Sequence, residues 1–302
     1  VIAKLTERQL GILLGLIANS IWGGAALYWI QTKPVAPWDV LAHRGLWTLP
    51  AALLILIVAG RLRSALALLS NVKMMMAMAA AAALISVNWG TFLYAVTNGK
   101  ATQASLGYFM LPLLTIVFGV LIFKEKLSRP QLIAVAMAVI AVGIQLVMLG
   151  TIPIIALALS GSFAAYGAIR KSVVADSLQG LFLESLFLAP VAATWILLNG
   201  GAGIGEHGLR VDFFLVASGL FTAMPLLTHV AASRMLPLST LGLLSYLGPS
   251  LQLIVALTML GETINGATLA SFAVVWLGLL VIWIDNLKTL RRARRARKQL
   301  SQ

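Results

Sequence analysis

No cysteine occurs in the 302 residues of the chain, which excludes disulfides, thiolate nucleophiles and thiolate metal sites. Charge is also scarce. Only 10% of residues are Asp, Glu, Lys or Arg, against roughly 25% in a soluble domain, and a chain so poor in charge cannot cover a surface facing water. Acidic residues are the rarest, 9 against 22 basic ones. The His-Glu-x-x-His pair of zinc hydrolases, the Gly-x-Ser-x-Gly nucleophile elbow and the phosphate-binding P-loop are all missing. Those absences argue against a membrane-embedded enzyme and against ATP-driven pumping by this chain alone. No catalytic residue, metal site or cofactor is expected.

What the chain does have is apolar length. Hydrophobic residues make up 60% and the mean hydropathy is +0.97. Apolar runs of about twenty residues recur throughout, each long enough to cross a bilayer core of about 30 Å as a helix. The short alternating segments of a membrane β-barrel do not occur. The expected fold is an all-α integral membrane protein with ten transmembrane helices, at about residues 9–30, 38–59, 74–97, 102–123, 131–149, 152–169, 178–198, 213–234, 238–260 and 267–284. The first run follows Lys4 and Arg8 but exceeds the ~7–15 residues of a signal-peptide core, and more spans come after it. It is therefore expected to stay as the first helix.

The charges that remain are sorted by side. With ten spans, eighteen Lys and Arg fall on the side of the N-terminus, and only Lys33, Lys100 and Arg210 fall opposite. Positive residues stay inside, so both termini are expected in the cytoplasm of a bacterial inner membrane. Seven of the 22 basic residues crowd into positions 288–298. No aromatic or glycine motif of a nucleic-acid module accompanies them, so the expected partners are membrane lipids and a small-molecule substrate, and not nucleic acid.

The halves repeat. Pro112 is followed thirteen residues later by Glu125, and Pro249 thirteen residues later by Glu262, both pairs offset by 137. Tyr108-Phe109-Met110-Leu111-Pro112 then matches Ser245-Tyr246-Leu247-Gly248-Pro249. Five helices per repeat is odd, so the second repeat must enter from the opposite side. Inverted repeats of this kind are typical of secondary transporters, with substrate held near the midplane between them. The expected divisions are residues 1–150, residues 151–287 and a basic cytoplasmic tail, 288–302.

Asn88-Trp89, Tyr94-Ala95-Val96, Ala104-Ser105-Leu106-Gly107-Tyr108-Phe109 and Pro112-Leu113 together resemble the drug/metabolite transporter superfamily. Within it the chain is similar to the EamA family and its RarD branch. His43-Arg44, Ser239-Thr240-Leu241-Gly242, Tyr246 and Gly248-Pro249 add to the match, which runs over nearly the whole chain. It departs at Leu111, where the family commonly has Asn. The resemblance implies an inner-membrane exporter of metabolites with ten helices in two five-helix repeats around a central cavity. Relatives include exporters of amino acids, aromatic ones among them, and the RarD name is associated with chloramphenicol sensitivity. Monomer and homodimer both stay open.

Ionisable groups inside a membrane are costly and therefore functional candidates. Arg44, beside His43, is read as a carboxylate or phosphate clamp, against the plainer reading of a side chain snorkelling to the outer interface. Glu184, the one carboxylate placed clearly within a span, is read as a coupling residue or a structural ion pair, and His229 as cavity-lining or core. Asn19, Trp22, Asn88, Trp89, Tyr94, Tyr108, Tyr166 and Tyr246 supply apolar walls with a few donors and acceptors for an amphipathic solute. With so few titratable groups, the expected transport is facilitative or weakly coupled export of small metabolites, amino acids foremost. The alternatives are a proton-coupled antiporter and a non-transporting partner. Tyr28, Trp29 and Trp38 are expected at the interface, Pro112, Pro225 and Pro249 as kinks, and Glu125 and Glu262 paired with basic groups or capping loops.

Overall fold

The computed structural model describes residues 5–97, 101–149, 154–259 and 269–278, with isolated positions 266, 280, 281 and 284. Five of the eighteen residues of the tenth expected span, the turn at 150–153, Glu262 and the tail 288–302 lie outside these. Everything regular among the described residues is helical. Helix α1 is Glu7–Gly23, α2 Ala25–Trp29, α3 Pro37–Val58, α4 Leu62–Leu66, α5 Val72–Thr97 and α6 Ala101–Phe123. They are followed by α7 Arg129–Leu149, α8 Ile154–Ser172, α9 Ser177–Leu198, α10 Leu209–Met235, α11 Leu238–Leu244 and α12 Leu247–Met259. A shorter apolar helix covers Leu269–Gly278.

Six helices of the described residues are long and apolar enough to cross a bilayer, or seven if α1 and the bent segment after it form one span. That bend is 44° at Gly24. Large side chains are left bare along the outer faces, among them Val147 at 82% exposure and Val191 at 73%. In water such a surface would drive aggregation. In hydrocarbon it costs nothing.

The helix ends obey local chemistry. Thr6 and Gln9 form a capping box at the start of α1, and Asp176 and Gln179 form another at the start of α9. Hydroxyls inside the helices turn back on the preceding turn, as Ser160 does on Ala156 and Ser185 on Leu181, because lipid offers no other acceptor. Pro112 and Pro225 sit inside continuous helices. Pro249 is the exception among the three prolines. It occupies the first turn of α12, where no backbone donor is needed, and the break falls just before it, at Ser245-Tyr246.

Helix α10 packs against α1 and α3, α3 also against α9, and α8 against α5 and α6, with α11 on α6. Without water to drive association, such contacts depend on close packing and small residues. Gly219 is an example: a Cβ there would overlap the backbone carbonyl of Trp47, so α3 and α10 touch main chain to main chain. The main core joins Leu56, Met78, Ile85, Leu183 and Val230, with Trp22, Trp89 and Phe163 packed on its edge.

Candidate functional site

Arg44 projects from the second turn of α3 into the interior. Its Nε donates to the Thr222 hydroxyl of α10 at 2.8 Å. The guanidinium lies 3.9 Å from the centre of the Trp89 ring and 5.5 Å from that of Trp29. Tyr108 of α6 is near enough to interact with its charge. No carboxylate lies within ion-pair distance of Arg44 among the described residues. Although enclosed by four helices, Arg44, Trp89 and Tyr108 keep accessible surface. The side chain packs against residues of α2, α5 and α10. A half-buried cation on aromatic faces gains about 1–2 kcal/mol from them, and its outer edge makes no ion pair among the described residues.

A second aromatic group lies on the same helix. His229 is seven residues after Thr222 on α10, two turns along one face and about 10 Å away. Its ring stands 5.1 Å from Trp22 and 5.6 Å from Phe163, with Trp22 and Phe163 5.5 Å apart. His229 Nδ1 is buried without a hydrogen-bond partner among the described residues. Arg44, Trp89, Tyr108, Trp22 and Tyr94 are the predicted residues that keep accessible surface, and His229 keeps a nitrogen without a partner among the described residues. Thr222 and Trp29 touch Arg44, and Phe163 touches Trp22. The Trp29 indole also faces Arg44.

The other predicted residues, Tyr94 apart, are engaged in holding the fold. Asn19 donates to Gly15 O at 2.7 Å, Asn88 to Leu159 O at 2.8 Å, and the Tyr246 hydroxyl to Phe109 O at 3.3 Å. Tyr94 is exposed at 43% on α5. His43 accepts from the Trp47 indole at Nδ1, 3.2 Å away, and reaches the carbonyls of Gly201 and Ala202 with Nε2. Tyr28 donates to Phe214 O at 2.7 Å and stacks on Phe221 at 3.9 Å, so it too belongs to the packed bundle.

Glu184 pairs with Arg170 and not with Arg44. Arg170 Nη1 lies 2.7 Å from the carboxylate, and both side chains are sealed, at 1% and 2% exposure. Tyr166 donates to the same carboxylate at 3.3 Å, and Arg170 Nη2 donates to the carbonyls of Asp176 and Ser177. Arg170, one residue past the expected span 152–169, closes the α8–α9 turn from within. Arg61 binds Asp176 from outside the same turn.

Glu125, beyond the end of α6, accepts from the backbone N–H groups of Leu238 and Ser239 at 2.7 and 2.9 Å and pairs with Lys171 at 3.2 Å. It both caps α11 and holds a cation. Burial alone would raise its carboxyl, but the Ser239 and Leu238 donors, with Lys171, outweigh burial and hold it below the usual carboxylate range. A surface groove of about 380 Å³ between α5, α6 and α8 is apolar and lined by residues such as Ala77, Phe118 and Ala165. It holds none of the predicted site residues.

A bundle of apolar helices with bare hydrophobic flanks defines a multi-pass membrane protein. The EamA-like transporter family matches residues 9–147. An "Uncharacterized transporter" of Vibrio cholerae is 36% identical over 294 residues, covering 96% of this chain and 97% of that protein. "Protein RarD" of Escherichia coli K12 is 35% identical over 293 residues, covering 96% and 98%. "Protein RarD" of Streptomyces exfoliatus is 37% identical over 291 residues, covering 95% and 92%. A protein of known crystal structure matches with a TM-score of 0.69 at 18% identity, over 90% of this chain and 96% of that one, a likeness of fold alone. The chain belongs to the EamA-like transporter family, as a RarD-like member of the drug/metabolite transporter superfamily. It is a membrane transporter and not an enzyme.

Proposed function

We propose that the protein exports small metabolites bearing an anionic group, amino acids and related carboxylates foremost, across the bacterial inner membrane by alternating access. The observation that carries this reading is Arg44, a cation deep in the bundle, held by Thr222 and two indoles and lacking a carboxylate partner among the described residues. A planar guanidinium presents two parallel donors to a carboxylate or phosphate. The apolar walls around it suit the rest of an amphipathic solute.

Ten spans in two inverted five-helix repeats, with cytoplasmic termini, complete the proposal. Phe109 and Tyr246, equivalent under the 137-residue offset, are joined by a hydrogen bond. Equivalent residues meet in this way where a two-fold relation between repeats passes close by. Its support for orientation is the charge asymmetry. Facilitative transport fits Glu184, the intramembrane carboxylate, being already neutralised by Arg170.

The test is solute flux in liposomes containing only this protein, with a panel of amino acids, their decarboxylated amines and related carboxylates. Wild type should favour the carboxylates, and Arg44→Gln should lose that preference. Equal transport of amines and acids by both forms would defeat the reading. Accumulation driven by an imposed pH gradient would replace facilitation with proton coupling.

A further inference from the structure

The connection from α9 to α10, residues 199–208, contains Gly200, Gly201, Gly203, Gly205 and Gly208, each at positive φ, with Ala202 also left-handed at φ 52. Such a backbone is open to few residues besides glycine, and it does more than turn a corner. Ala202 and Gly203 are buried while 205–208 are exposed, so the segment folds back into the bundle. Ile204 packs with Val35, Val40, Val211 and Leu215 in a small separate apolar cluster. A Cβ on Gly203 would stand 3.6 Å from that of Val35.

His43 holds the inserted part. An indole N–H can only donate, so His43 Nδ1, 3.2 Å from Trp47 Nε1, is the acceptor and carries no proton. The ring proton is then on Nε2, which lies 3.1 Å from Ala202 O and 3.3 Å from Gly201 O. Both ring nitrogens are used by the protein itself. His43 is six residues past the start of α3, about 9 Å along the helix, and its side chain leans back towards the helix start to meet the segment. The next residue is Arg44.

We propose that segment 199–208 is the outer gate of the transport path and that His43 is the latch holding it shut above Arg44. This rests on the transport reading given above. The latch binds main-chain carbonyls, so it does not depend on side chains of the segment. The glycines let the backbone leave and return without steric cost. The apolar seat is small, and opening exposes few large side chains.

The native absence of cysteine makes the proposal directly testable. Val35→Cys with Gly203→Cys places two Cβ atoms within the roughly 3.5–4.5 Å that a disulfide spans. A third change, Thr222→Cys, reports access to the site through its rate of reaction with a small charged methanethiosulfonate added from the outer face. Oxidising the pair should slow that reaction at least tenfold, and reduction should restore it. With Thr222→Cys alone as background, His43→Leu should speed it severalfold. Should Gly203→Cys not fold, His43→Leu decides by itself. An unchanged rate in the oxidised pair, or in His43→Leu, overturns the gate. Retained carboxylate preference in Arg44→Gln would instead defeat the site reading, leaving the labelling rates to judge the gate.

Discussion

Two arginines lie deep in this bundle under opposite arrangements. Arg170 is sealed, faces a carboxylate at 2.7 Å and spends its second nitrogen on two backbone carbonyls. Arg44 keeps accessible surface and rests on Trp89 and Trp29, with a hydroxyl as its hydrogen-bond partner. A buried charge is tolerated only when it is compensated. For Arg170 the compensation is internal, with Nε left without a partner among the described residues, and it ties one turn in place. For Arg44 it is partial, and a substrate anion can supply the rest. A charge already neutralised holds structure, and one left partly open can still receive an anion.

The sharpest way to break this contrast is to remove each charge and compare. Arg170→Met leaves Glu184 buried and unpaired, which should cost about 3–5 kcal/mol. It should appear as lost folded protein and a lower melting temperature, partly recovered by adding Glu184→Leu. A stable, active Arg170→Met would show the pair to be dispensable. Arg44→Gln should lower melting far less than Arg170→Met yet weaken binding of carboxylate substrates about 10–100-fold, the loss of a charged hydrogen bond worth about 1.5–3 kcal/mol. Equal loss of stability in both variants would erase the distinction.

Smaller changes refine it. Thr222→Val removes the hydroxyl that orients Arg44 and should weaken binding about fivefold, near 1 kcal/mol, measured by titration against intrinsic fluorescence. Glu125 gives the weakest effect and a pH signature. Its carboxyl is held low in the folded protein, so its stabilisation is present above the unfolded carboxylate range, near ~4.3, and is lost as pH falls through the folded value. Glu125→Gln should therefore destabilise slightly at neutral pH and flatten the acid limb of the melting profile.

Much of the architecture was legible because lipid imposes simple rules. Helices α3, α5, α7 and α9 begin and end close to the expected spans. Arg44, Trp89 and Trp22 were visible as costly or bulky groups at depth. What could not be read was pairing in three dimensions. Arg170 stands at the end of α8 next to Lys171 and looks like a loop cation, and its burial depends on Glu184, fourteen residues on in another helix. His43 adjoins Arg44 in sequence, but helical geometry turns it about 100° away, towards a segment more than 150 residues distant. Asn19, Asn88 and Tyr246 are polar groups at depth, as a binding site requires, yet each satisfies a backbone carbonyl. Thr222 and Phe163 carried no signal that sets them apart from other hydroxyl and aromatic residues.

The main-chain contact at Gly219 has a consequence for tolerance to mutation. A saturation library selected for function should return one letter at this position, since even alanine would force α3 and α10 apart where their backbones meet. Gly143 and Gly161, beside which no atom stands within 4 Å of an added Cβ, should accept many. Such a library would map where the two helices are welded, without any further coordinates.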